Sequence, residues 1–304
     1  MYQKLTYKAV KELAAPQTWP AGVLPVLLAA TLSYTVYHAF AIFPFVLLLI
    51  LSVLLQSAVN TLNDYYDYVK GTDTEDNSLD MNDASIIYNR INPRTALGTG
   101  MVFLVLALLG GLYCVWLTGW PLLLIGLLGA ATIFLYSGGP LPISYLPLGE
   151  FISGLMMGGM ITLAAVYVLS GSLSLSVLYY ALPLIVSIGW ILLTNNICDI
   201  EKDTAAGRRT LPMLLGRKNA ARVLLGGFLF IVAAIAHLTF YSFRPGFWLV
   251  LPLLIHFALY LKRLRHMEYS AANRRAAMLT TLRLVTILNS YYILTILWAG
   301  VFSD

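Results

Sequence analysis

The sequence predicts an all-α, polytopic integral membrane protein: nine transmembrane helices around a central cavity, with the N-terminus in the cytoplasm. Three observations carry this. Of 304 residues, 59% are hydrophobic and 11% charged, whereas soluble domains carry about a quarter charged residues. Apolar stretches long enough to cross ~30 Å of hydrocarbon recur along the whole length. The basic residues are also distributed with a period of two connections.

The nine expected spans run 19–40, 41–58, 98–117, 120–136, 148–169, 177–197, 221–241, 247–261 and 279–301. They leave little chain for a soluble domain, so residues 1–304 are expected to form one membrane domain, with 1–18 as a surface segment and 19–301 as the bundle. Of the 19 basic residues, 18 fall at the N-terminus, in the even-numbered connections or just inside the last span. Arg244 is the exception. By the positive-inside rule that side is cytoplasmic, and one miscounted helix would scramble the split. The net charge of +5 therefore reads as topology plus attraction to lipid headgroups, with no nucleic acid as partner. The first apolar run is full length without a cleavage site, so no signal peptide is expected. Cys114 and Cys198 sit at different depths, and His38, His237, His256 and His266 are scattered, which leaves no metal-ligand spacing.

The acids concentrate at two helix ends. Span two continues into 60-NTLNDYYDYVKG, where Asn60, Asp64 and Asp67 share a face, and Asn63 lies four before Asp67. Gly71 is the expected helix stop, with Asp73 on the loop beyond. The second group, 195-NNICDIEKDTAAGRRTLP, puts Asn195, Asp199 and Asp203 at i, i+4, i+8 beside Asn196, with Glu201 pointing away and Gly207 ending the helix. Like charges four apart repel, and a membrane boundary adds a desolvation cost, so something must cancel the charge. Both groups end spans on the same side and are able to face one another. Carboxylates with carboxamide oxygens suit Mg²⁺, which takes one or two carboxylates plus waters and substrate phosphates. The bases Lys70, Arg90 or Arg94, Lys202, Arg208 and Arg209 would contact phosphate oxygens. That combination handles a diphosphate whose tail enters the bilayer. A transporter is the rival class. It should hold acids near the bilayer midplane on broken helices, whereas these lie at helix ends on one side.

At these residues the chain resembles the UbiA superfamily of membrane prenyltransferases. Asn63, Asp64, Asp67 and Asp73 match its first motif, NDxxDxxxxxD, and Asn195, Asn196, Asp199 and Asp203 its second, NNxxDxxxD. The segment 136-YSGGPLPISYLPLGE-150 is similar to the family's Gly/Pro-rich loop, and GRRTLP to its basic turn. The resemblance is greatest to the branch that prenylates 1,4-dihydroxy-2-naphthoate in menaquinone synthesis. It implies Mg²⁺-dependent transfer of a polyprenyl group from polyprenyl diphosphate to an aromatic acceptor on the cytoplasmic side of the cell membrane, with no obligate protein partner. Hydroxybenzoate, haem or lipid-glycerol acceptors and a non-catalytic prenyl-binding protein are the alternatives. Two departures concern the acceptor: Cys198 stands where that branch has Arg, and 74–94 lacks its Gly-rich, Arg-containing run. Asp64, Asp67, Asp199 and Asp203 are the expected metal-holding residues, supported by oxygens of Asn63 and Asn196. Asn60, Lys70, Asp73, Arg90, Arg94, Tyr136, Tyr145, Glu150, Asn195, Asn196, Lys202, Arg208 and Arg209 are the expected substrate contacts.

Overall fold

The computed structural model describes residues 2, 5–69, 71, 85–137 and 142–302. Among them all regular structure is helical: α1 (Tyr7–Ala14), α2 (Pro20–Thr35), α3 (Ile42–Val69), α4 (Pro93–Thr118), α5 (Trp120–Ser137), α6 (Gly149–Ser170), α7 (Leu182–Cys198), α8 (Arg217–Ser242), α9 (Val250–Arg265) and α10 (Arg274–Phe302), joined by short helical turns. Six helices are long and apolar enough to cross a membrane, and a seventh span arises if Tyr7–Thr18 and Pro20–Thr35, bent by 56°, are counted as one. Trp120–Tyr136 and Leu182–Cys198 are apolar but shorter. The expected sixth span is interrupted at Ala181, between Ser176–Tyr180 and α7. Pro183 follows that break and has no N–H to continue the helical ladder.

The chain divides into two compact units. The first comprises Met1–Val23 and Val46–Leu117, the second Leu24–Phe45 and Thr118–Asp304. In the first unit, α1 is capped by the Thr6 hydroxyl, which accepts from Ala9 N–H. Its apolar side is covered: Ala9 and Leu13 join Ile86, Ile91 and Ala96 in a small core flanked by Tyr65 and Tyr68. Trp19 donates its indole N–H to Ser57 Oγ at 3.1 Å, which pins the bend ahead of α2 to α3. Helix α4 starts on Asn92–Pro93. The Asn92 side chain accepts from Arg94 N–H at 3.0 Å, an N-cap followed by proline at the first helical position.

In the second unit, α7 packs against α6, α8 and α10. The approach of α6 to α7 is a backbone matter. Residues Gly154–Met160 of α6 widen into a π-helical turn, and a Cβ on Gly154 or Gly158 would strike the Ile185 backbone, as one on Gly189 would strike the Glu150 carbonyl. Small residues are how apolar helices come close inside a bilayer. The glycines of the fifth expected span thus serve contact within the chain. Buried polar side chains tie the same helices together. Asn289 donates to Ser187 Oγ at 2.9 Å, Thr194 and Thr281 share a 3.0 Å bond, and Trp190 donates to the Leu224 carbonyl at 2.8 Å.

Candidate functional site

The first acidic group lies on the last turns of α3, which continues as helix through Val69 as expected, and Gly71 stops it with φ +67°. Asp64 and Asp67 are half-buried on the face that holds Asn60, while Asn63 is exposed. Both aspartates are engaged in interactions with neighbouring groups. Asn60 anchors the N-terminal segment. Its Nδ2 donates to the Ala14 carbonyl at 3.0 Å and to Thr18 Oγ1 at 2.8 Å, and its Oδ1 accepts from Gln56. Arg90 is exposed in a left-handed conformation (φ 48°) and Arg94 is exposed on the first turn of α4. Lys70 and Asp73 lie outside the described residues, as does 74–84.

The second group forms the end of α7 and the turn after it. The expected unbroken helical face is interrupted: α7 stops at Cys198, Asp199 takes φ −100° and ψ 16°, and Ile200–Ala205 resumes the helix. The i→i−4 bonds nevertheless persist across the break, from Asp199 N–H to Asn195 O at 3.0 Å and from Asp203 N–H to Asp199 O at 2.8 Å. The three side chains therefore stay in the order the spacing predicts. Gly207 (φ +70°) ends the segment. Glu201 points away as expected, gripped at both oxygens by Arg217 Nη2 at 2.9 and 2.7 Å.

Asp203 is buried, 2% exposed, and pairs through Oδ1 with Arg208 Nη1 at 3.1 Å. Burial holds its carboxyl above the usual range; Arg208 opposes this and Asp199 adds to it. Asp199 pairs through Oδ2 with Arg274 Nε at 3.1 Å. No local spacing links residues 75 positions apart, so the sequence does not single out Arg274. The guanidinium of Arg208 lies 5.5 Å from the Tyr145 ring centroid, and Arg209 N–H donates to the Tyr145 carbonyl at 3.0 Å. The Gly/Pro-rich loop and the basic turn, separate in sequence, are joined there. Glu150 begins α6 at 3% exposure and accepts from Asn196 Nδ2 at 2.8 Å. Tyr136 stands in electrostatic reach of Glu150, Arg208 and Asp203. Lys202 is half-buried and engaged, and residues 138–141 of the loop lie outside the described residues.

Among the described residues, five buried polar side-chain atoms at this end of the unit have no hydrogen-bond partner: Asp203 Oδ2, Asn195 Oδ1, Glu150 Oε2, Thr210 Oγ1 and Arg208 Nε. Buried polar atoms are nearly always satisfied, and here three carboxyl and carboxamide oxygens and one guanidinium N–H are left open to a ligand. The oxygens suit a hard divalent cation and the N–H suits an anion. Among the described residues no three His, Cys, Asp or Glu side chains form a metal-holding group. Mg²⁺ requires fewer, because waters and substrate phosphate complete its shell.

The pattern of the UbiA prenyltransferase family matches residues 22–287. The chain is 36% identical over 217 residues to a 1,4-dihydroxy-2-naphthoate octaprenyltransferase of Bacillus subtilis, covering 71% of this chain and 69% of that protein. It is 30% identical over 245 residues to the Mycobacterium tuberculosis protein of the same name, covering 79% and 80%. Against the human UbiA prenyltransferase domain-containing protein 1 the figures are 28% over 204 residues, 66% of this chain and 59% of that one. A UbiA homolog from Archaeoglobus fulgidus, solved with DMAPP and Mg²⁺, superimposes with TM-score 0.65 at 17% identity, covering 95% of this chain and 98% of that one.

Proposed function

Since the chain belongs to the UbiA prenyltransferase family and is a membrane prenyltransferase, we propose that it transfers a polyprenyl group from polyprenyl diphosphate to 1,4-dihydroxy-2-naphthoate. The observation that carries the site is the set of idle buried oxygens around the second acidic motif, beside the idle Arg208 N–H. The six long helices, the bent pair and the two shorter apolar helices are read as nine spans with both acidic motifs on the cytoplasmic side, which the one-sided bases support.

In this reading the first motif would hold Mg²⁺ through Asp64 and Asp67, with Asn63 lending a carboxamide oxygen, and the second through Asp199 and Asp203, with Asn195 in the same role. Asn195 joins this set because its oxygen is buried without a donor, whereas Asn196 is committed through its amide to Glu150. Bound there, Mg²⁺ would supply positive charge to the leaving diphosphate. Arg208, Arg209, Lys202 and Lys70 bind the remaining phosphate oxygens, with Arg208 kept in place by Tyr145 beneath it and Asp203 beside it. The acceptor ring enters against Tyr136 and Glu150, and the prenyl tail lies among apolar helix faces.

The test is product mass spectrometry on purified protein in lipid, supplied with polyprenyl diphosphate, the naphthoate and Mg²⁺. A prenylated 1,4-naphthalenediol that has lost the carboxylate as CO₂ is expected, and EDTA should abolish it. Transfer that persists in EDTA would remove the metal from the mechanism, and transfer only to another phenol would move the acceptor.

A further inference from the structure

Resting on that reading, we propose that Glu150 is the general base that takes the ring-hydroxyl proton of a phenolic acceptor. Three observations single it out. It is a carboxyl group 3% exposed at the start of an otherwise apolar helix, α6. One oxygen is fixed by Asn196, whose Nδ2 donates to Oε1 at 2.8 Å, so the rotamer is held. The other, Oε2, is buried with no partner. An acid that merely favoured the helix N-terminus would face solvent or the first-turn N–H groups. This one is held from the side by a second helix and keeps a lone pair idle. Its backbone is clamped as well, because a Cβ on Gly189 of α7 would collide with the Glu150 carbonyl. Glu150, Arg208 and Asp203 all act electrostatically on the Tyr136 hydroxyl. Asp203 pairs through Oδ1 with Arg208 and is assigned to the metal in that reading, which leaves Glu150 as the carboxylate available for the proton.

The step balances as follows. The ring O–H breaks, its proton passes to Oε2, and the electron pair stays on oxygen and is delocalised into the ring. A ring carbon then bonds to the prenyl C1 while the C1–O pair leaves with the diphosphate. The displaced ring substituent departs as a proton to water or as CO₂, its bonding pair restores aromaticity, and the proton on Oε2 returns to the ring oxygen. A positioned base of this kind contributes about 10²- to 10⁴-fold.

The experiment compares wild type with Glu150→Gln in lipid. It measures prenyl diphosphate binding with Mg²⁺, turnover with a phenolic acceptor, and the pH profile from 6 to 9. The Gln variant should bind prenyl diphosphate as wild type does, lose at least ~100-fold in turnover at neutral pH, and recover as pH rises and the acceptor ionises unaided. Turnover within threefold of wild type overturns the proposal, and so does a loss that is the same at every pH, which would mark a packing or hydrogen-bonding role. Should Gln at this position prevent folding, Glu150→Asp decides. It keeps the charge but withdraws it by one methylene, so wild-type turnover there would likewise overturn the proposal. Failure of the prenyltransferase reading looks different, because wild type itself would then transfer to no phenol.

Discussion

Two helix pairs handle glycine in opposite ways. In the first unit, α4 carries Gly98 and Gly111 with open space around them, and Gly100 and Gly110 meet the flexible side-chain ends of Leu62 and Leu51. In the second unit, Gly154, Gly158 and Gly189 let the α6 and α7 backbones touch. The apolar windows of α3 and α4 are 11% and 17% buried, against 44% for α6, 44% for α8 and 50% for α10. α4 and α8 share a mean hydropathy of 2.3 yet are 17% and 44% buried, so apolarity alone does not say which helix packs on protein. Between α6 and α7 the packing is contact between backbones, made where Glu150 is held. The first motif, by contrast, rests on a long helix steadied by the N-terminal segment through Asn60 and Trp19.

The sharpest test of this contrast compares the two motifs. Asp64→Asn and Asp203→Asn should each lower prenyl transfer at least ~10³-fold, as expected for groups that hold the charge of a leaving diphosphate. Asp203→Asn should also lower stability by about 1–3 kcal/mol, since it removes the charge that partners a half-buried guanidinium. Thermal melting in detergent reads this loss. An Asp203→Asn variant that melts with wild type would remove the packed role given to the second motif.

Next in size are the glycines. Gly158→Ala forces a methyl against the Ile185 backbone and should destabilise by about 1–3 kcal/mol. Gly111→Ala meets nothing and should gain up to ~1 kcal/mol from helix propensity. Melting temperatures moving in the same direction would count against the packing argument. Asn60→Ala should cost about 1 kcal/mol, felt locally, and hydrogen exchange is expected to accelerate over residues 7–18 while α7 stays protected.

The smallest effect belongs to the Glu201–Arg217 pair. Hydrogen bonding to Arg217 holds the Glu201 carboxyl below its usual range. A folded-state value lower than the unfolded one means that the pair's stabilisation is present above the unfolded value, near pH 4.5. It fades as pH falls through the lower folded value. Because Glu201 is 67% exposed, the gain is a few tenths of a kcal/mol. Glu201→Gln should therefore melt slightly below wild type at pH 7 and level with it near pH 3.

Much of the site was legible before any coordinates. Aspartates four apart, asparagines just ahead of them and glycines just after are local facts, and helical periodicity turns them into one face and one stop, as Gly71 and Gly207 bear out. The break at Asp199 was not legible, because spacing assumes an unbroken helix and says nothing of where the backbone yields. Nor was the pairing of Arg274 with Asp199, since that partner comes from the last helix.

By itself the sequence determined the class of the protein, the helical segments and which residues bear charge at their ends. Bilayer thickness and backbone hydrogen bonding leave an apolar chain few other choices. Only the tertiary structure decided which oxygens are left idle, that Asn196 braces Glu150, and that α6 and α7 meet at their backbones. Those outcomes depend on distances between residues far apart in the chain, and periodicity along a single helix carries no information about them.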